Sequence, residues 1–270
     1  MKTGVVLHYG PQLAEEFRWC AENHLPTCQL SVPVNMMTKE VREQIDLARR
    51  ETGMEITALV GNWSGPRKWN LVHGPATLGI VPPAYRHIRM QELTGCADFA
   101  ASLGVPAVCT HMGFIPENPC DPLYQDFVSA AVYLADCFDR RGIGLNFETG
   151  QETPVTMLRA LRDIGAPNVG LNFDPANLMM YGKANPVDAL GIVGSYVRGV
   201  HAKDGEYPTD GYHLGNERPL GQGMVNFPVF LAKLRETGYD GPLTIEREIS
   251  GEKQKADVLM ANRMLLDLIR

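Results

Sequence analysis

Short runs of aliphatic and β-branched residues alternate along the chain with longer segments in which apolar positions recur every third or fourth residue. The runs at 4–7, 27–32, 56–60, 107–110, 142–147, 169–173, 197–200 and 242–245 have strand length and little polar alternation. Strands covered on both faces by helices read this way. Between them, Phe127, Ala131, Leu134 and Phe138 follow the steps of a core-facing helix, and Val258, Leu259, Leu265 and Leu268 repeat the pattern near the C-terminus. The same periodicity predicts helices over 11–23, 38–51, 84–103, 152–164, 185–195 and 226–237. Gly53, Gly104, Gly142, Gly165 and Gly238 stand where these segments stop, at positions suited to a left-handed C-cap.

Eight strands, each followed by a helix, are the count of a (β/α)8 TIM barrel. The alternative is an open, doubly wound sheet, which usually carries a glycine-rich first βα turn. Here that turn is His8-Tyr9-Gly10-Pro11, without the G-x-G-x-x-G pattern. No linker, charge run or low-complexity tract interrupts residues 1–270, so a single domain is expected. Two connections are unusually long: 61–83, with Trp63 and Trp69, and 204–224, rich in Gly, Asp and Glu. Long connections of this kind are usually lids or binding loops.

Composition narrows the partners. A net charge of −6 gives no broad basic footprint for nucleic acid or an anionic membrane. The six cysteines form no C-x-x-C pair, which fits free thiols in a reducing compartment. No stretch has the ~18 apolar residues of a membrane span, and the N-terminus does not read as a signal peptide. A cytoplasmic protein acting on small molecules is expected; the sequence is compatible with a homo-oligomer.

The most informative feature is a near-repeat: Gly144-Leu145-Asn146-Phe147-Glu148 and Gly170-Leu171-Asn172-Phe173-Asp174. The seventh strand leads into His201 and the eighth into Glu246, so four consecutive strands end in Glu, Asp, His and Glu. In a barrel these ends converge on one mouth, where active sites sit. Three carboxylates there would repel one another, each with its pKa raised, unless a cation intervened. One imidazole with three carboxylates suits Mn²⁺ foremost, with Mg²⁺, Co²⁺ or Zn²⁺ also compatible. The bland alternative for each acid is a helix N-cap or an arginine partner, and Asp174 before Pro175 fits a cap.

These residues resemble the xylose isomerase-like TIM-barrel superfamily of sugar isomerases and epimerases. The likeness rests on N-F-E-T-G at 146–150, N-F-D-P-A-N at 172–177, H-A-K-D at 201–204, L-G-Q-G at 220–223 and T-I-E at 244–246. It implies one divalent metal held by Glu148, Asp174, His201 and Glu246, with Glu148 and Glu246 as the acid–base pair; Glu248 is the fallback for Glu246. One glutamate would take a proton next to a carbonyl, giving a cis-enediolate, and the other would return it. Return to the opposite face is epimerisation, return to the neighbouring carbon is isomerisation, and loss of a β-hydroxyl is the dehydratase or lyase outcome on a keto-sugar or inosose. Two positions depart from the epimerase pattern. Asn177 stands where many of those enzymes carry histidine, and Tyr207 where they carry a substrate-binding arginine, which leaves Arg218 as a later candidate.

His111 at the end of the fourth strand, Asn177, Lys203, Arg218 and Trp63 are the candidate substrate contacts. Each has a structural reading beside it: a hydrogen-bonded histidine, a solvated arginine, a tryptophan packing anchor, and for Lys203 a counter-charge to the acids. The superfamily also contains endonucleases acting at abasic DNA. A multi-zinc cluster and a basic face would be needed for that activity, and the seven histidines and acidic balance argue against it. A non-catalytic sugar-binding barrel could dispense with one of the two glutamates, and both are present.

Overall fold

The computed structural model describes residues 1–270. Eight parallel strands close into a barrel, in chain order β1 (Thr3–His8), β2 (Thr27–Ser31), β3 (Glu55–Val60), β4 (Ala107–Thr110), β5 (Gly144–Glu148), β6 (Val169–Phe173), β7 (Val197–Ala202) and, after two short strands described below, β10 (Leu243–Ile245). Around it run α1 (Leu13–Glu22), α2 (Lys39–Thr52), α3 (Gly74–Thr77), α4 (Pro83–Leu103), α5 (Pro122–Asp139), α6 (Pro154–Ile164), α7 (Pro175–Met180), α8 (Pro186–Val193), α9 (Phe227–Glu236) and α10 (Glu252–Ile269). Leu145, Leu171, Val200 and Leu243 are fully buried, as strands covered by helices require.

The sequence boundaries hold to within one or two residues for most strands. The fifth starts at Gly144 because Gly142, at φ 68°, still belongs to the turn after α5. The seventh runs on to Ala202, which places His201 inside a strand. Gly53, Gly104 and Gly165 are left-handed C-caps. Asp121, Thr153, Asp174, Asn185 and Asn226 each accept a backbone N–H from the first turn of the helix they precede, with proline at its first or second position. Asp174 is therefore an N-cap, and the short helix that it caps was not legible in the apolar periodicity.

Both long connections are structured over the mouth. In 61–83, Arg89 from α4 is fully buried and donates to the carbonyls of Gly79 at 2.6 Å and Pro66 at 2.9 Å, its guanidinium stacked on Trp63 and Tyr85. Gly79 and Gly113, both at positive φ, let this connection cross the end of β4. A Cβ on Gly79 would stand 1.9 Å from the Met112 carbonyl oxygen, and Ile80 N–H instead donates to that oxygen at 2.9 Å. In 204–224, β8 (Asp204–Gly205) pairs with β9 (Glu217–Arg218). The Asp204 carboxylate gathers the N–H groups of Gly205, Gly221, Gly223 and Val225 at 2.8–3.0 Å. That assigns the acid of H-A-K-D to shaping the loop.

Candidate metal centre

The barrel closure brings Glu148, Asp174, His201 and Glu246 together, their ligand-type atoms all within 4.8 Å of one another. Glu148 ends β5 and His201 lies in β7, while Asp174 and Glu246 each follow their strand by one residue. The Thr149 hydroxyl receives Asp174 N–H at 2.9 Å and donates to the Asp174 carbonyl at 3.1 Å, fixing the turn. Asp174 Oδ1 accepts Asn177 N–H at 2.8 Å, whereas Asp174 Oδ2 is buried without a hydrogen-bond partner. One oxygen caps the helix and the other is free to coordinate.

His201 is oriented from below. Its Nε2 lies 2.8 Å from Gln29 Oε1, and the Gln29 amide is itself held by donation to Asn172 Oδ1 at 2.9 Å. Cys109 Sγ donates to the same Gln29 oxygen at 3.1 Å, so this thiol supports the imidazole rather than competing as a ligand. His201 Nδ1 is thereby turned toward Glu148 Oε1 at 3.1 Å and Glu246 Oε2 at 3.3 Å. A ligating histidine whose other nitrogen is anchored is the usual arrangement at protein metal sites. Three hard carboxylates, one oriented imidazole and one orphaned carboxylate oxygen fit a divalent cation.

The expectation that every acid here would be pushed up is corrected. Burial raises each of them, but His111 and His201 hold Glu148 well below the usual range, and Lys203 and His201 bring Glu246 down to about 2. In Asp174 burial outweighs Lys203, and the carboxyl is pushed up to about 7. Lys203, read from the sequence as a candidate counter-charge, and the two histidines therefore do part of a metal's work. Lys203 is buried, with Nζ at 2.9 Å from Glu248 Oε1, 3.0 Å from Glu246 Oε2 and 3.4 Å from Asn177 Oδ1. It is a counter-charge to the acids. His111 Nε2 lies 3.3 Å from Glu148 Oε1, and Asn177 Nδ2 donates to the same oxygen at 3.3 Å.

Above the cluster lies a cavity of about 390 Å³ whose wall includes Trp63, Trp69, His111, Asn177, Glu148 and Glu246. Arg218 does not reach it. It is exposed on β9 and pairs with Glu206 at 2.8 Å, because the loop folds back on itself there. The sequence reading missed Tyr181, whose hydroxyl is buried without a partner, as well as Arg67 and Asn62, all of which line this cavity. Nor was Gln29 singled out. A lone glutamine inside an apolar run was the one available signal.

Behind His111, Glu152 is 2% exposed and its Oε1 has no partner. Burial pushes this carboxyl up to about 7 against the pull of His111, Lys183 and nearby N–H groups. Its folded pKa is above the unfolded value, so the folded chain binds this proton more tightly. The stability it contributes is complete below about pH 4.5 and lost as pH rises through 7. Glu152→Gln is expected to match the parent near pH 4.5 and to exceed it at pH 8 by on the order of 2–3 kcal/mol. Urea denaturation at both pH values checks this; equal destabilisation at both would refute it.

A family model described as a xylose isomerase-like TIM barrel matches residues 17–265. The crystal structure of a xylose isomerase domain protein from Planctomyces limnophilus shares 34% identity and superposes with a TM-score of 0.92, covering 98% of this chain and 96% of that one. A D-tagatose 3-epimerase-like protein shares the fold at 21% identity and a TM-score of 0.75, covering 100% and 97% of the two chains. An uncharacterized protein of Methanocaldococcus jannaschii is 29% identical over 194 residues. That match spans 66% of this chain and 64%, just under two thirds, of the relative.

Proposed function

The chain belongs to the xylose isomerase-like TIM-barrel family, and we propose that it is a divalent-metal-dependent sugar isomerase or epimerase using Glu148 and Glu246 as its proton-transfer pair. The observation that carries this reading is the cluster of Glu148, Asp174, His201 and Glu246, with Asp174 Oδ2 accepting no hydrogen bond, beneath a cavity of about 390 Å³. That volume lies within the ~300–1,000 Å³ of small-molecule sites. A divalent ion held by these four residues would supply Lewis-acid polarisation of a substrate carbonyl and its neighbouring hydroxyl.

The chain's own groups supply the rest. Strands β6 and β7 separate β5 from β10 around the barrel, so Glu148 and Glu246 reach the mouth from different sides. Both are held ionised, as a proton acceptor must be. One glutamate, in its ionised form, removes the proton next to the carbonyl; the other, having first taken up a proton from solvent, delivers it to the opposite face or to the adjacent carbon. Lys203 and His111 fix the carboxylates they contact, and Trp63 and Trp69 give the sugar an apolar wall.

The test is the Mn²⁺-loaded protein in D₂O with free ketoses, sugar phosphates and inososes. Deuterium is expected at a carbon next to the carbonyl of at least one member. An inverted centre, a moved carbonyl or loss of water then separates epimerase, isomerase and dehydratase. Absence of deuterium from every member, with metal bound, would sink the proposal. His201→Ala is expected to lose bound metal by elemental analysis, whether Mn²⁺, Mg²⁺, Co²⁺ or Zn²⁺ is offered; full stoichiometry would remove His201 from the ligand set.

A further inference from the structure

The two ends of the cavity differ in charge. Its floor carries the acids of the cluster and Glu248, answered by His201, His111 and Lys203. Its wall at 61–67 carries the reverse excess. Arg67 is the one arginine or lysine lining the cavity, and its recorded hydrogen bond is to a neutral amide, Asn62 Oδ1, at 3.3 Å. Asn62 is itself fixed by donation to Ser31 Oγ at 2.8 Å and to the Val60 carbonyl at 3.2 Å, so the group that holds Arg67 is anchored to β2 and β3.

Behind this wall lies a second cation without a close ion pair. Arg89 spends its buried guanidinium on the carbonyls of Gly79 and Pro66, and it forms no ion pair. Glu92, the nearby acid, accepts Ser64 N–H at 2.9 Å and pairs with neither arginine. Between Arg89 and the cavity stands Trp63, whose buried Nε1–H is a donor without a partner. Positive charge and unused donors thus gather on one wall, opposite a floor built for a cation.

We infer that the substrate carries an anionic group, a carboxylate or a phosphate, remote from the carbon whose proton moves, and that Arg67 binds it. This rests on the proposed proton transfer and names the substrate class of that same cavity. Arg67 presents a planar fork of donors that matches either anion bidentately. A neutral sugar would leave it without a counter-charge.

The test uses the Mn²⁺-loaded protein and D-fructose, D-fructose 6-phosphate and D-fructuronate, with Kd measured by calorimetry and deuterium incorporation followed in parallel. The favoured anion is expected to bind about ten- to a hundred-fold more tightly than fructose. Whether that is the phosphate or the carboxylate assigns the anion. Arg67→Ala is expected to erase the difference, Arg67→Lys to keep part of it, and Arg67→Glu to reverse it. Arg67 is exposed, so these variants are expected to fold. If fructose binds as tightly as both anions, if no probe binds, or if Arg67→Ala leaves the difference intact, the inference is overturned. Arg67-dependent binding without deuterium incorporation would instead count against the proton transfer alone.

Discussion

Replacing either Glu148 or Glu246 with glutamine is expected to lower the rate of epimerisation or isomerisation by about 10²–10⁴-fold, the range supplied by a positioned acid or base. Glutamine keeps an oxygen donor and nearly the same volume but can neither accept nor return the proton. Both residues also belong to the candidate metal-binding cluster, so metal content must be measured on the same samples. The informative result is an asymmetry. In an epimerase each glutamate serves one face of the reacting carbon, so each single variant loses inversion but still exchanges the proton of one epimer with solvent. Proton NMR in D₂O, starting from each epimer separately, reads this directly. Wild-type inversion in both metal-loaded variants would remove the pair from the mechanism. Loss of metal in both would show their weight to be in coordination.

The acids of this site could be found from sequence because strand geometry carries them. A run buried on both faces announces a barrel strand, and the residues at or next to its C-terminal end stand at the mouth, whatever lies between the strands. Glu148, Asp174, His201 and Glu246 needed nothing more than that count. Arg218 was a candidate only as the later arginine in the loop after His201, with Tyr207 at the place where epimerases carry theirs, and the loop doubles back through β8 and β9 and carries it away from the mouth. Arg67 and Asn62 lie on the other long connection, whose path depends on a buried arginine from α4 and on the crossing at Gly79 and Gly113. None of these has a local period. Gln29 shows the same limit inside a strand: its partners, His201 and Asn172, lie more than 140 residues away along the chain. The apolar pattern says that residue 29 is buried, and only the closed barrel says what it bonds to.

Lys203→Met should produce the largest loss of stability, and the loss should depend on metal. Lys203 is 2% exposed and faces Glu246, Glu248 and Asp174 from one point. Removing one partner from a buried charge network costs about 3–5 kcal/mol, because the remaining charges are left uncompensated. At ~2–4 °C per kcal/mol for a chain of this size, the metal-free variant should melt roughly 10 °C below the parent. A divalent ion answers the same carboxylates, and at a hundred times its Kd it stabilises a folded protein by about 2.7 kcal/mol. If Lys203 stands in for part of that charge, the stabilisation by metal must be larger in Lys203→Met than in the parent. The two cations then cover overlapping work, and the deficit narrows as metal is added. Thermal denaturation of both proteins in EDTA and in excess Mn²⁺ forms the complete cycle. A deficit that stays constant would show that Lys203 and the metal act independently. A deficit that widens with metal would mean that the ammonium chiefly aligns Glu246 for coordination, and the view of Lys203 as a substitute charge would fall.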